Sequence, residues 1–258
     1  MDVATLIKEL GTTPSATARA TGLSRMTVLR VRDGVSSPSM TTLREFALAA
    51  GFDLDISLVP ASDPAAAMAA RVIADPTVPE LGEFKTLGLG TAADVIAITE
   101  WVDRLERQAD GARTRLLPLA GRYSAPQHRK GARYFAPKPG ISQSRLIDIA
   151  SSAVDTVRGA LSGVAAAQFY LGHAPDPGVV VAWTTDVAAV ASRLSLTLRE
   201  VDEYQPAGVI VAPTVDSYLL DMVRPPQSTH PLVSPIQAAI DFYGLGYDLL
   251  ADEITEGW

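Results

Sequence analysis

Four arginines and no acid lie between residues 19 and 32: Arg19, Arg25, Arg30 and Arg32. A guanidinium fork suits two partners, a phosphate oxygen pair and the O6/N7 edge of guanine in the DNA major groove. Ser24, Met26 and Thr27 stand among these arginines. A hydroxyl at a helix start can help hold a phosphate, and methyl-bearing side chains can meet the methyl group of thymine. These seven residues are the candidate DNA-binding set. A second set runs from Gly121 to Lys138, where cations alternate with aromatics. Arg122, Tyr123, His128, Arg129, Lys130, Arg133 and Tyr134 could neutralise phosphates and stack on bases. An equal alternative is a basic strand or loop that docks on the acidic last third of the same chain.

Chemistry of other kinds is thinly represented. His128, His173 and His230 are far apart and show no metal-ligand spacing. No nucleophile elbow and no Walker loop is present. Asp248, Asp252, Glu253 and Glu256 read as an exposed acidic helix face in preference to a metal cluster. Gly88-Leu89-Gly90-Thr91-Ala92-Ala93 matches a G-x-G-x-x-A loop that could present N–H groups to a pyrophosphate. That use needs a buried strand in front, and Glu83–Leu87 is a weak one; a loop with Thr91 as helix cap is preferred. With no cysteine, a disulfide framework, a thiolate metal site and a cysteine nucleophile all fall away. The expectation is a binding protein and not an enzyme, with neither cofactor nor metal.

The charge is arranged in blocks. Over 258 residues, 22 Lys and Arg oppose 29 Asp and Glu, a net of −7 that argues against nucleic acid. Residues 1–110 carry a net of −5, residues 111–147 a net of +8 with no acid, and residues 148–258 a net of −10. Segregation of this kind is more than solubility requires. The first ten residues have no basic run followed by a long apolar run, and no uncharged apolar stretch nears the ~20 residues of a membrane span. A cytoplasmic protein with no membrane contact is expected.

Capping and periodicity place the elements that must hold the arginines. Val3, Leu6, Ile7 and Leu10 read as a first helix closed by Gly11. Thr13 and Pro14 open a second, which Gly22 ends. Ser24 caps a third, Arg25 to about Asp33, and Met40 to Ala50 make a fourth. Asp53–Val59 alternates with period two, as a half-buried strand does. Residues 61–111 read as a linker with a short helix at Ala65–Ala74 and a longer one from Thr91 to Ala109. Beyond Ser142 the pattern is helical through Val154 to Tyr170, with Gly159 and Gly163 as close-packing positions. Gly178–Trp183, Leu194–Val201 and Ala207–Val211 read as strands, and Pro235–Tyr243 as a last helix. The overall class is α+β: an all-α helix-turn-helix domain at 1–60, the linker, and a mixed domain at 112–258.

Thr21-Gly22-Leu23-Ser24-Arg25-Met26-Thr27-Val28-Leu29-Arg30-Val31-Arg32-Asp33-Gly34, with Pro38-Ser39-Met40-Thr41-Thr42-Leu43, resembles the Cro/lambda-repressor (XRE) helix-turn-helix family over residues 3–58. The third helix of that family usually ends in Glu-Asn-Gly; here Arg32-Asp33-Gly34 makes the surface more basic. Residues 112–258 resemble, through shorter motifs, the carboxyl-terminal domain of AbiEi-type antitoxins. Those motifs are Gly163-Val164-Ala165-Ala166 and Ser234-Pro235-Ile236-Gln237-Ala238-Ala239-Ile240-Asp241, with the basic Tyr/Pro-rich stretch Arg122–Pro137 upstream. Members of that family usually carry a winged-helix domain in front, so the XRE-like start is a departure. The resemblance implies a sequence-specific repressor of its own operon, acting as the antitoxin of a type IV pair. Its partners would be operator DNA and a nucleotidyltransferase-type toxin, with a second copy of the chain as a candidate. The alternative is a stand-alone XRE-type regulator whose carboxyl-terminal half binds an effector or a protein.

Overall fold

The computed structural model describes residue 6 and residues 13–75, 78–79, 81–84, 87–88, 90–226 and 230–256. The chain is α+β and divides into two compact units, Met1–Val59 and Pro60–Trp258. No helix of the described residues is long and apolar enough to cross a membrane.

The smaller unit holds three helices among the described residues: α1 (Pro14–Thr21), α2 (Arg25–Arg32) and α3 (Met40–Ala49). Each starts where a hydroxyl side chain takes up an orphan N–H of the first turn: Thr13 for Ala16, Ser24 for Thr27, Ser39 for Thr42. Gly22 ends α1 in the left-handed region at φ 69°, which turns the chain sharply into α2. The three helices close over Leu6, Val28, Val31, Phe46 and Ala47, with Leu23, Leu43 and Leu54 at the margin. Of the helix expected at Val3–Leu10, all but the buried Leu6 lies outside the described residues.

The expected strand at Asp53–Val59 does not form. Leu54 turns to the core, but Ile56, Leu58 and Val59 are exposed, Leu58 at 99 %. Period-two alternation makes a strand when a neighbour accepts its hydrogen bonds, and no strand exists among the described residues of this unit.

The larger unit is built around a five-stranded mixed sheet, ordered β2-β3-β5-β1-β4. Its strands are β1 (Arg133–Ala136), β2 (Gly159–Gly163), β3 (Val179–Thr184), β4 (Arg199–Val201) and β5 (Gly208–Pro213). β3 and β5 run parallel; the other pairings are antiparallel. Val180 and Ala182 of β3 and Val209 and Val211 of β5 face one side. There they meet α7 (Gln143–Val154) and α9 (Val187–Leu194). Val179, Val181, Trp183, Ile210 and Ala212 face the other side. That side is covered by α10 (Pro235–Leu245) and α11 (Asp248–Thr255). Both faces are buried, and for that reason β3 and β5 read as continuous apolar runs.

A third layer corrects the expected linker. Helices α4 (Pro64–Ala74), α5 (Ala92–Ala109) and α6 (Arg113–Ser124) form one core with Ile240 of α10. Residues 65–71 of α4 are all buried. A helix apolar on every side must be enclosed, and alanine is small enough to let three helices converge on it. The described residues of 60–111 are therefore an integral layer of the larger unit.

Two further expectations change. Val154–Tyr170 is not one helix: α7 ends at Val154, β2 follows, and α8 (Val164–Tyr170) is separate. Gly159 and Gly163 serve strand pairing, since a Cβ at either would collide with a β3 carbonyl, that of Trp183 or Val179. Leu194–Val201 is a strand only over its last three residues, because Leu194 closes α9.

Candidate nucleic-acid interface

The candidate DNA-reading residues gather at α2. Its amphipathicity is set by Val28 and Val31, both buried against Phe46. At about 100° per residue, Met26 projects nearly opposite the midpoint of those two valines. Arg30 lies one turn further and about 40° round, and Arg25 about 100° to the other side. Arg19, Arg25 and Arg30 are exposed, and no ion pair holds any of them among the described residues. Three exposed cations of the smaller unit therefore have no acidic partner among the described residues.

The remaining expected residues are engaged locally. Ser24 Oγ accepts from the Thr27 N–H at 3.0 Å and lies 2.8 Å from Thr27 Oγ1. The Ser24 hydroxyl caps the helix, and the two hydroxyls bond to each other. Arg32 Nε donates to Asp33 Oδ1 at 2.8 Å, and this exposed contact holds the guanidinium pKa above its ordinary value. Arg32 is thus tethered at the end of the helix.

The basic set at 122–134 is dispersed by the fold. Arg129 is buried at 7 % exposure. Its guanidinium donates to the carbonyls of Ser62 and Ser124 and stacks 5.1 Å over Trp183. Burial pushes its pKa down to about 10, opposed by the charge of Asp241. Arg133 forms a two-point ion pair with Glu200 across β1 and β4 at 2.5 Å. The Tyr134 hydroxyl donates to the Gln127 carbonyl, and that of Tyr123 to Gln108 Oε1. Tyr123 also packs on Trp101 with ring centroids 5.1 Å apart. Arg122, His128 and Lys130 remain exposed. Tyr123, Arg129, Arg133 and Tyr134 thus each have a partner in their own chain: Arg129 fills an interior gap, while Arg133 pairs with Glu200 at the surface.

The interior of the larger unit holds a polar network that the sequence did not announce. Asp241 Oδ2 accepts from Trp183 Nε1 at 2.8 Å, and Asp241 Oδ1 from Gln237 Nε2 at 2.9 Å. Burial pushes the Asp241 carboxyl up to about 6, against the donors that favour its charged form. Arg71, at 0 % exposure, donates to the Tyr218 carbonyl and to Gln237 Oε1, and pairs with Asp221. The one signal of Arg71 in the sequence is its isolation in the otherwise apolar run Pro64–Ala74: a cation in an all-round apolar helix must be met by partners. Gln237 and Asp241 belong to the motif that carries the antitoxin resemblance, and their work is internal.

The other candidates stay apart. His173 bonds Glu253 of α11, and His230 lies 3.9 Å from Asp148. Asp248, Asp252, Glu253 and Glu256 are exposed, and no metal-binding group of His, Asp and Glu forms among the described residues. Thr91 and Asp94 make a capping box at α5, and the residues before the glycine loop include a helical turn, Leu81–Phe84, in place of a strand. Leu89 of that loop lies outside the described residues. A cleft of about 570 Å³ opens beside α7 and α8, lined by Gln143, Asp148, Gln168, Phe169, Asp176 and His230 among others.

No protein-family model, curated protein or solved structure matches the chain.

Proposed function

We propose that the chain is a sequence-specific double-stranded DNA-binding repressor, in which α1, the Gly22 turn and α2 act as a helix-turn-helix. The observation that carries this reading is the face of α2: Arg25 and Arg30 exposed and without ion pairs among the described residues, with Arg19 nearby in sequence at the end of α1. A helix docked in the major groove needs free forks for base edges and a capped amino terminus near the phosphates. Tethered arginines would serve neither need. Nothing in this reading requires catalysis.

The finer role is repression of its own operon as the antitoxin of an AbiEi-type pair. Its support is the resemblance of residues 112–258. The larger unit would carry the antitoxin role, with a nucleotidyltransferase-type toxin as the functional partner. Footprinting of the full-length chain on its own upstream DNA tests the repressor; protection of no duplex there or elsewhere would overturn it. Co-expression with the product of the adjacent gene tests the antitoxin role, where relief of growth arrest is expected. A neighbouring frame unlike a nucleotidyltransferase would remove that role and leave the repressor. The cleft beside α7 and α8 favours a second reading, a stand-alone regulator with an effector site.

A further inference from the structure

We propose that α2 reads a thymine through Met26, in a half-site where a guanine taken by Arg30 lies within two base steps. The inference rests on the DNA-binding reading above and deepens it. Three observations narrow the reading face. Ser24 and Thr27 bond to each other through their hydroxyls, and Ser24 also accepts from the Thr27 N–H, so both are engaged at the start of the helix. Arg32 is held by Asp33. Arg25, Met26 and Arg30 remain, and among them Met26 is 64 % exposed although it is apolar.

Its position gives this exposure a use. Met26 lies at the centre of the exposed face, opposite Val28 and Val31, and cations flank it on both sides. On a duplex, the apolar feature of the major-groove edge is the C5-methyl group of thymine. An unbranched thioether can reach and adapt to such a group. Arg30 stands one turn from Met26, about 5–6 Å away at Cβ. Successive bases rise by about 3.4 Å, so the two side chains meet bases one or two steps apart.

The test uses the full-length protein and duplexes with a randomised centre, from which the bound fraction is sequenced. The enriched duplex is then remade with deoxyuridine in place of each thymine in turn, which removes the methyl group alone. At one thymine a loss of about fourfold in affinity is expected, the value of one buried methyl. That loss should vanish in Met26→Ala and return in Met26→Leu. Wild-type indifference to every replacement, or an undiminished loss in Met26→Ala, overturns the proposal while DNA binding stands. If no duplex is enriched, the DNA-binding reading itself is overturned and this one with it.

Discussion

The indole N–H of Trp183 donates to Asp241 Oδ2 at 2.8 Å, so an interior strand of the sheet is bonded to the helix that covers it. Gln237 supplies a second donor to the same carboxylate from one turn earlier on α10. A carboxylate buried with two neutral donors is satisfied in hydrogen bonds but poorly solvated in charge. The outcome is a group that resists ionisation.

Asp241 should therefore impose a pH dependence on stability. Its folded pKa, about 6, is above the ordinary carboxylate value of 3.8, so the folded state binds more protons between those limits. Its contribution is fully present below about 3.8 and is lost as pH rises through about 6. In Asp241→Asn that loss should disappear. The melting-temperature difference, wild type minus variant, should fall from pH 4 to pH 7; a difference independent of pH would contradict the assignment.

Arg129 and Lys130 are neighbours in sequence with opposite expected effects. Arg129→Ala removes a stacked interior cation and leaves the Ser62 and Ser124 carbonyls without that donor, at a cost of roughly 3 kcal/mol or more. Lys130 is exposed, and Lys130→Ala should stay within about 0.5 kcal/mol. Urea unfolding of both variants decides; equal stability would return Arg129 to the surface.

On the smaller unit, Arg25→Ala and Arg30→Ala should each weaken binding to the selected duplex by about 1–3 kcal/mol. Arg32→Ala should do less, since Asp33 already engages that guanidinium. Titration of labelled duplex at fixed salt compares the three. A loss for Arg32→Ala as large as the other two would refute the reading face.

The boundary between the units predicts how fragments behave. Residues 60–258 should fold cooperatively on their own, because α4, α5 and α6 share one core with Ile240. Residues 112–258 should not, since removal of α4 and α5 exposes Leu116, Ala120 and Ile240 and takes Arg71 from Asp221. Near-ultraviolet circular dichroism and thermal unfolding distinguish the two. A sharp transition in the shorter fragment would restore residues 60–111 to the status of a linker.

Local chemistry was legible in the sequence. Thr13-Pro14 and Ser24 mark helix starts because a hydroxyl meets an orphan N–H within one turn. The apolar runs of β3 and β5 were legible too, since a strand buried on both faces needs no polar alternation. Gly159 and Gly163 misled: small residues suit close helices as well as close strands, and spacing does not separate the two uses. The Asp53–Val59 alternation misled for the complementary reason, that a strand exists only with a neighbour.

The amino-acid sequence by itself determined the caps, the apolar periodicity and the placing of arginines along α2, each a matter of residues within one or two turns. Tertiary structure decided the fate of the second basic segment and of residues 60–111. Arg129 meets Trp183 54 positions away, and Arg133 meets Glu200 67 positions away. Whether a cation faces solvent or its own chain depends on partners that distant, and on the balance between desolvation and the bonds they return. Spacing along the chain carries no record of that balance.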